Sequence, residues 1–233
     1  MTEQLFRDDS YLQDCDATVT ASGDGAIELD RTVFYPMGGG QPGDTGSIEW
    51  EGGQVTIVDT RYGDGGAIRH IAEDGAELPG AGTAVRAAID WDRRFLHMRM
   101  HTALHLLGAV LPYGVTGGNI SAAKSRLDFD MEDTVDKEQV TADLRALVAA
   151  DHPVSCRWIS DEELDAQPEL VRTMSVQPPK GAGKVRLLEI EGIDLQPCGG
   201  THLKSTAEVG DVRVGKVEKK GRHNRRVSIV LDQ

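Results

Sequence analysis

Residues 95–111 of the chain read FLHMRMHTALHLLGAVL, and this stretch predicts a single α-helix. Its apolar residues recur at helical spacing, and no proline interrupts the run. His101 and His105 lie four residues apart within it, and residues at that spacing share one face of a helix. The stretch therefore predicts a helix that directs two imidazole rings toward one point.

A second pair of metal-binding residues lies far downstream in QPCGGTH, residues 196–202. There a cysteine and a histidine flank a glycine pair that follows a proline, a combination typical of a turn. Zinc prefers cysteine sulfur and histidine nitrogen in a tetrahedral arrangement, so the two pairs together predict a zinc centre. The predicted ligands are His101, His105, Cys198 and His202.

Two other interpretations of these four residues stay open from the spacing alone. The histidine pair by itself is compatible with ordinary core or surface histidines. Four protein ligands also suit a purely structural zinc, because a catalytic zinc keeps one position open. The helix lacks the glutamate that metalloproteases of the His-Glu-x-x-His type use as general base, so that class of enzyme is not indicated.

Upstream of the helix, short segments with strand character alternate with glycine- and aspartate-rich turn signals at a spacing of about ten residues. Period-2 alternation is clear in Val55 and Ile57 and again in Val85, Ala87 and Ile89, as expected of strands with one buried face. This pattern predicts a small antiparallel β-barrel domain over residues 1–91. The predicted strand segments are 15–23, 25–35, 46–50, 53–62, 67–74 and 84–90.

Residues 92–233 predict a mixed α+β domain. A second helix is indicated over 137–151 by its acidic start and apolar spacing, since acidic residues favour helix N-termini. Residues 161–170 predict an acidic helical turn, and 176–184 a flexible loop. The predicted fold class is thus α+β, a small N-terminal antiparallel β-barrel followed by a zinc-binding α+β domain. The predicted strands of this domain are 119–130, 154–160, 184–190, 208–220 and 225–231.

The composition is strongly acidic, with 38 Asp and Glu residues against 25 Lys and Arg and a formal net charge of −13. An Asp-rich, Lys-poor surface indicates adaptation to a salt-rich cytosol, where carboxylates keep the protein hydrated. No apolar run has the length of a membrane span and no basic, apolar leader is present, so a cytoplasmic location is expected. Cys15 and Cys156 are interpreted as ordinary, part-buried thiols of a reduced compartment.

Three segments, 92–110, 119–129 and 194–231, resemble in order and spacing the editing domain of alanyl-tRNA synthetase. With a leading barrel, the chain resembles the stand-alone AlaX family of alanyl-tRNA editing proteins. The resemblance implies zinc-dependent hydrolysis of the ester in mischarged tRNA(Ala), with serine as the chief wrong amino acid and glycine as a second. It implies no aminoacylation region, so no ATP is expected. Editing of another tRNA, such as threonine tRNA, and a zinc-stapled RNA-binding module without catalysis are the alternatives.

The segment FYPMGGGQPGDTG, residues 34–46, matches the glycine-rich motif of that family. Its glycines permit positive φ and close approach of a ligand to the backbone, although a tight loop between barrel strands explains them equally well without the metal motifs. The resemblance places this motif beside the zinc pocket. The residues it assigns to the substrate pocket are Gly39, Gly40 and Gln41, with Thr102 and Thr201 as further contacts.

Residues 213–226 carry seven basic residues and a single glutamate in a chain of opposite overall sign. A local cationic ribbon is the expected footprint of a nucleic-acid backbone, whereas a solvated hairpin tip is the alternative. Arg93, Arg94 and Arg99, close to the two histidines of the predicted helix, extend the ribbon. The predicted tRNA-binding residues are Arg93, Arg94, Lys219, Lys220, Arg222, Arg225 and Arg226.

Overall fold

A computed structural model describes residues 2–171 and 183–232 and shows an α+β protein. The chain forms two compact units, Met1–Leu96 and His97–Gln233, whereas the sequence pattern placed the division after residue 91. The loop predicted over 176–184 lies largely outside the described residues. No helix in the part of the chain that the structure describes is long and apolar enough to cross a membrane.

The first unit is built around a closed barrel of six strands, in the order β2-β3-β7-β6-β5-β8, whose neighbours are all antiparallel. Every predicted strand segment contributes to it. A short parallel pair, β1 with β4, lies outside the barrel. The strand predicted over 25–35 is thus divided into β3 and β4, and β1 was not predicted. The strands are β1 (Glu3–Gln4), β2 (Asp14–Gly23), β3 (Ala26–Leu29), β4 (Arg31–Thr32), β5 (Gly46–Trp50), β6 (Gly53–Tyr62), β7 (Ile68–Ala72) and β8 (Ala84–Ile89).

Alternation along these strands fills the barrel with apolar side chains, as a small barrel requires. Ile48 on β5 is paired with Val55 on β6 and with Ala87 on β8, and all three are buried. Because residues directly opposite in a ladder point to the same face, these pairs place their side chains together in the core.

The first turn of helix α1 (Trp91–Val110) belongs to the first unit. Trp91 packs against the apolar core of the barrel. Arg94 is completely buried, and its guanidinium donates to the carboxylate of Asp44 and to the carbonyls of Ser10 and Val33. These contacts explain why the unit ends after Leu96 rather than at the last barrel strand.

A buried histidine lies in the barrel wall. The Nδ1 of His70 is 2.9 Å from the carbonyl oxygen of Ile27, which only accepts, so Nδ1 carries the proton. Its Nε2 is 2.8 Å from the hydroxyl of Thr32, which accepts in turn from the backbone N–H of Phe34. Burial lowers the pKa of His70 to about 4, and the bond to Ile27 offsets this only in part. The side chain is therefore neutral in the folded protein.

The free energy of unfolding is expected to fall as the pH is lowered from about 6.5 to about 4, the ordinary and the folded pKa of His70. In that window the unfolded chain takes up a proton that the folded chain does not, and a shift of this size corresponds to roughly 3 kcal/mol. Urea unfolding at pH 7.5 and 4.5, compared with the same pair for His70→Gln, measures the difference. An equal loss of stability in both proteins would contradict the assignment.

The second unit contains two antiparallel sheets, in the orders β14-β15-β10-β9 and β11-β12-β13. The strand predicted over 119–130 is corrected by the structure. Only residues 125–130 of it form a strand, because residues 120–124 turn back to an additional strand over 115–119, and the hydroxyls of Ser121 and Ser125 hold that turn. Residues 206–209, partly predicted as strand, form a 3-10 helix. The elements are β9 (Val115–Asn119), β10 (Ser125–Asp130), α2 (Lys137–Ala149), β11 (Val154–Ser160), α3 (Asp161–Asp165), β12 (Lys184–Ile190), β13 (Asp194–Pro197), β14 (Val212–Gly221) and β15 (Asn224–Leu231).

The two faces of the β11-β12-β13 sheet differ in chemistry. On one face Ile159, Val185 and Leu187 form an apolar cluster with residues of α3. The register pairs Leu188 of β12 with Gln196 of β13, so the opposite face carries polar side chains on β13. This opposite face meets helix α1, and the predicted metal ligands lie there.

Candidate metal centre

The structure brings the four predicted ligands into one cluster in the second unit. His101 and His105 project from α1, while Cys198 and His202 lie just after β13. Their ligand atoms all lie within 4.8 Å of one another. The Sγ of Cys198 is 3.1 Å from the Nε2 of His202 and 3.5 Å from the Nε2 of His101. Three imidazoles and one thiol therefore converge, as the spacing of the two motifs predicted.

The donor set of three imidazoles and one thiol suits a zinc ion, and the contacts of the thiol lie near the spacing that a tetrahedral zinc site requires. With zinc–nitrogen and zinc–sulfur distances of about 2.1 and 2.3 Å, tetrahedral ligand atoms stand about 3.4 to 3.7 Å apart. The Sγ of Cys198 lies 3.1 and 3.5 Å from two of the histidine nitrogens, which is close to that spacing. The three histidines are buried and the cysteine is half-buried, so competing water is largely excluded.

Side chains on β13 fix the orientation of His105. Its Nδ1 is 2.8 Å from the Oδ2 of Asp194, so the ring donates from Nδ1 and presents Nε2 to the cluster. Gln196 donates from its amide nitrogen to the same carboxylate oxygen at 2.7 Å. A carboxylate behind a histidine fixes the tautomer and raises the basicity of the ligand nitrogen, a frequent feature of metal sites.

Asp194 and Gln196 are not among the residues that the sequence motifs predicted for the site. A signal for them was available, because Asp194, Gln196 and Cys198 alternate along the chain and a strand places alternate residues on one face. Recognising β13 as a strand would have directed all three side chains at the histidine helix.

Thr102, predicted as a substrate contact, lies behind His202. Its Oγ1 is 3.4 Å from the Nδ1 of His202 and accepts from the backbone N–H of Leu203 at 3.3 Å. The side chain is completely buried. In this arrangement Thr102 orients His202, one of the candidate ligands. Thr201, the other predicted threonine, is buried as well.

Arg186 fixes the backbone of the loop that carries the thiol. The N–H of Cys198 donates to the carbonyl of Arg186 at 3.1 Å, which extends the β12-β13 ladder by one residue. The guanidinium of Arg186 donates back to the carbonyls of Cys198 and Gly200 at 3.1 and 2.8 Å. A buried arginine thus holds the turn between the two downstream ligands.

The electrostatics of the cluster favour the forms that bind metal. Burial raises the pKa of the Cys198 thiol, but the adjacent His101 and His202 outweigh it and hold that pKa well below its ordinary value. Burial lowers the pKa of His202 well below its ordinary value. A thiolate and a neutral imidazole are the protonation states that ligate zinc.

His105 behaves in the opposite way. Burial disfavours its charged form, but the hydrogen bond to Asp194 and the neighbouring Cys198 prevail and raise the pKa to about 9. Because a metal ligand must give up its proton, binding of a cation at this nitrogen releases one proton at neutral pH. Affinity for the cation therefore rises with pH below about 9.

In the first unit, the glycine-rich segment forms a closed loop. Gly38 and Gln41 exchange backbone hydrogen bonds across Gly39 and Gly40, both of which have positive φ. Positive φ at both central residues of a two-residue turn favours glycine. The side chain of Gln41 is completely buried. At Gly43 the loop backbone packs closely against the backbone of Thr60, because an added Cβ would lie 2.1 Å from the carbonyl oxygen of Thr60.

The structure corrects part of the predicted tRNA-binding set. Arg94 is 0% exposed and is bound to Asp44, so it is not available to a phosphate. Arg225 is buried too, and its guanidinium donates to backbone carbonyls that include those of Asp133 and Gly221. Local charge pattern suggested both residues, but burial against internal acceptors decides their role. Arg93 is half-buried and donates to the carbonyl of Gly43.

The remaining predicted basic residues lie on the hairpin of β14 and β15. Lys219, Lys220 and Arg222 are exposed, and Lys220 forms an ion pair with Glu218 at 3.2 Å. Arg226 binds both carboxylate oxygens of Asp128 on the neighbouring strand β10. The hairpin therefore offers fewer cationic side chains to a phosphate than the sequence suggested.

Comparison with known proteins relates the chain to tRNA synthetases. Residues 185–228 match the family described as the second additional domain of threonyl and alanyl tRNA synthetases, and residues 5–93 match class II (A) tRNA synthetases. The alanine–tRNA ligase of Korarchaeum cryptofilum is 36% identical over 232 residues, which cover 94% of this chain and 25% of the ligase. The chain thus belongs to the class of proteins related to alanyl-tRNA synthetases.

Two shorter relatives match from end to end. The alanyl-tRNA editing protein AlaX-M of Methanosarcina mazei is 37% identical over 247 residues, covering 100% of this chain and 98% of the relative. AlaX-M of Saccharolobus solfataricus is 34% identical over 232 residues, covering 97% and 98%. The chain belongs to the AlaX family of alanyl-tRNA editing proteins.

Proposed function

We propose that the protein is a trans-editing hydrolase that deacylates seryl-tRNA(Ala), and glycyl-tRNA(Ala) as a second substrate, at a zinc site. The observation that carries the proposal is the convergence of His101, His105, Cys198 and His202 within 4.8 Å in a chain of the alanyl-tRNA editing family. The names of the relatives indicate the tRNA that is edited, and the three imidazoles and one thiol indicate the metal.

The residues around the cluster have separable roles in this proposal. A zinc ion, when bound, supplies a positive charge that polarises an ester carbonyl or acidifies water. Asp194 holds His105 in the ligand tautomer, and Thr102 and Arg186 hold His202 and the Cys198 loop. Burial excludes bulk water and strengthens the local electrostatic interactions.

The resemblance assigns the aminoacyl contacts to five residues, which stay part of the proposal. Selection of serine over alanine follows if polar groups of the pocket are satisfied only by the serine hydroxyl, since unpaired buried groups then penalise alanine. The assigned residues are Gly39, Gly40, Gln41, Thr102 and Thr201.

For tRNA contacts we propose the exposed hairpin residues Lys219, Lys220 and Arg222, with Arg93 and Arg226 beside internal partners. Exposed lysines and arginines contact phosphates without sequence preference and lose affinity with salt. An Asp-rich surface supports action in the cytoplasm of a cell with high internal salt, where such contacts are weak.

The second candidate is a zinc-stapled RNA-binding module without catalysis. Four protein ligands at one point are typical of structural zinc, and this observation favours the module. An editing enzyme of this geometry needs one ligand to yield its position to water or substrate. Hydrolysis therefore decides between the two functions.

A panel of charged tRNAs tests the proposal. We expect seryl-tRNA(Ala) to be hydrolysed at least on the order of 10²-fold faster than alanyl-tRNA(Ala), without ATP and with one zinc per chain. Loss of the activity after chelation and its return with zinc are the control. Preferential hydrolysis of seryl-tRNA(Thr) would favour threonine-tRNA editing, and tRNA binding without any hydrolysis would favour the module.

A further inference from the structure

An indole stands exposed at the edge of the sheet that carries the metal-binding thiol. Trp158 on β11 is 40% exposed, in a chain with only 3 tryptophans and 5% aromatic residues. Strand β11 is an outer strand of the β11-β12-β13 sheet. Burial of an indole contributes strongly to stability, so its placement at an open edge calls for a physical account.

The strand register aligns this indole with the metal-binding loop. Trp158 is paired with Arg186 on β12. On the other side of β12, the backbone carbonyl of Arg186 accepts from the N–H of Cys198. Trp158, Arg186 and Cys198 thus lie in one row that runs across the sheet. With strands about 4.8 Å apart, the Cα atoms of Trp158 and Cys198 are roughly 10 Å apart.

The row lies on the face of the sheet that is directed toward the histidine ligands. Residues directly opposite one another in an antiparallel ladder point to the same face, so Trp158 shares a face with Arg186. Two residues earlier, Cys156 aligns with Leu188 and Gln196, and Gln196 binds the carboxylate that orients His105. The face therefore runs from the histidine ligands to the exposed indole. Cys156, interpreted from the sequence as part-buried, is exposed at the same edge.

Positive charge accompanies the indole. The Nζ of Lys184 lies 5.8 Å from the centroid of the Trp158 ring, and Lys184 is exposed. An exposed ammonium thus stands beside an exposed aromatic ring in a chain with a net charge of −13. Single-stranded nucleic acids are bound by this combination, in which bases stack on aromatic rings and cations follow the phosphates.

We propose that Trp158 is a stacking platform for a nucleobase at the 3′ end of the acylated tRNA. The inference rests on the proposed function, because the base and the scissile ester are joined through one ribose. A base held on the indole leaves the ester within reach of the cluster, and the ammonium of Lys184 faces the adjoining phosphate. Trp158 is thus a binding and positioning residue for the acceptor end.

Steady-state deacylation of seryl-tRNA(Ala) provides the first test. Stacking of one base on an aromatic ring corresponds to about a 5- to 150-fold change in affinity. Trp158→Ala is expected to raise the KM about 10-fold or more and to leave kcat within about twofold. The stacking contact stabilises the bound substrate and the transition state equally, so its loss weakens binding without changing the rate of the bound complex. Trp158→Phe, which keeps a ring, is expected to retain most of the affinity.

Two controls separate stacking from a structural role. Arg157→Ala changes the neighbouring residue on the opposite face of the same strand, where Arg157 pairs with Glu189 at 3.5 Å, and it is expected to leave the KM unchanged. Hydrolysis of serine methyl ester, which has no base, is expected to be unaffected by Trp158→Ala. A KM for seryl-tRNA(Ala) that stays unchanged in Trp158→Ala would overturn the proposal.

A binding measurement separates failure of this inference from failure of the proposed function. Titration of the zinc-loaded protein with the trinucleotide CCA is expected to quench tryptophan emission, and Trp158→Phe is expected to lose that quenching while Trp50 and Trp91 still emit. This readout needs no catalysis. Identical quenching in the wild type and in Trp158→Phe, or none in the wild type, would reject the platform even if deacylation is observed.

Discussion

Replacement of Cys198 by alanine is expected to remove both tight zinc binding and deacylation. The thiolate is the one anionic ligand of the cluster and lies 3.1 and 3.5 Å from two of the three imidazoles. Its loss leaves three histidines in a buried site with no anionic ligand to balance the cation. We expect zinc content after dialysis to fall from about one ion per chain to near zero. We also expect the deacylation rate to fall by at least on the order of 10³-fold.

A graded variant sharpens this test. Asp194→Asn keeps all four ligands and removes only the carboxylate behind His105, whose Nδ1 is 2.8 Å away. Loss of such a carboxylate typically weakens metal affinity by about 10- to 100-fold. The expected order of zinc affinity is wild type, Asp194→Asn, Cys198→Ala, with unchanged far-UV circular dichroism as the control for folding. Undiminished zinc content and activity in Cys198→Ala would refute the metal assignment.

Truncation of Arg94 is expected to cause the largest loss of stability in the first unit. Arg94 and Asp44 are 0% and 1% exposed at their side chains, and Asp44 also accepts from the backbone N–H of Tyr35. Arg94→Ala leaves a buried carboxylate without its cation and removes a donor from the carbonyls of Ser10 and Val33. Breaking a buried pair in this way costs about 3 to 5 kcal/mol.

The matched control is an ion pair of the same residue types at the surface. Arg61 and Asp59 are separated by 2.6 Å, but the arginine side chain is 62% exposed, so Arg61→Ala is expected to cost less than about 1 kcal/mol. Chemical denaturation monitored by the tryptophan emission of the barrel measures both changes. Equal losses for the two variants would show that Arg94 does not stabilise the unit through its buried contacts.

Locally encoded features were predictable from the sequence. The helical spacing of His101 and His105 and the turn before His202 depend on neighbouring residues, and the structure brings these side chains together. The barrel strands were predictable for the same reason, since alternation and glycine-rich turns are local. The hairpin of β9 and β10 was not predicted, because the turn between its strands depends on the hydroxyls of Ser121 and Ser125 and not on glycine or proline.

Features that depend on distant partners were not predictable in the same way. Arg94 lies in a run of basic residues, and only its contact with Asp44, fifty residues earlier, shows that it is buried. Arg225 lies in the cationic hairpin, but its guanidinium binds the carbonyl of Asp133. Arg186 belongs to no recognisable sequence motif. Its role depends on the pairing of β12 with the segment after β13, which places Arg186 beside Cys198. Long-range pairing decides each of these cases.

Closure of the six strands into a barrel also affects self-association of the protein. A barrel without an open edge exposes no row of unpaired backbone donors and acceptors, so it offers no template for strand addition and aggregation. The outer strand β11 of the second unit does expose such a row, beside the Arg157 and Lys184 side chains. Charged residues at a sheet edge discourage pairing with a neighbour. In a crowded, concentrated solution, charged side chains such as these therefore oppose fibre-like association through the sheet edges of the second unit.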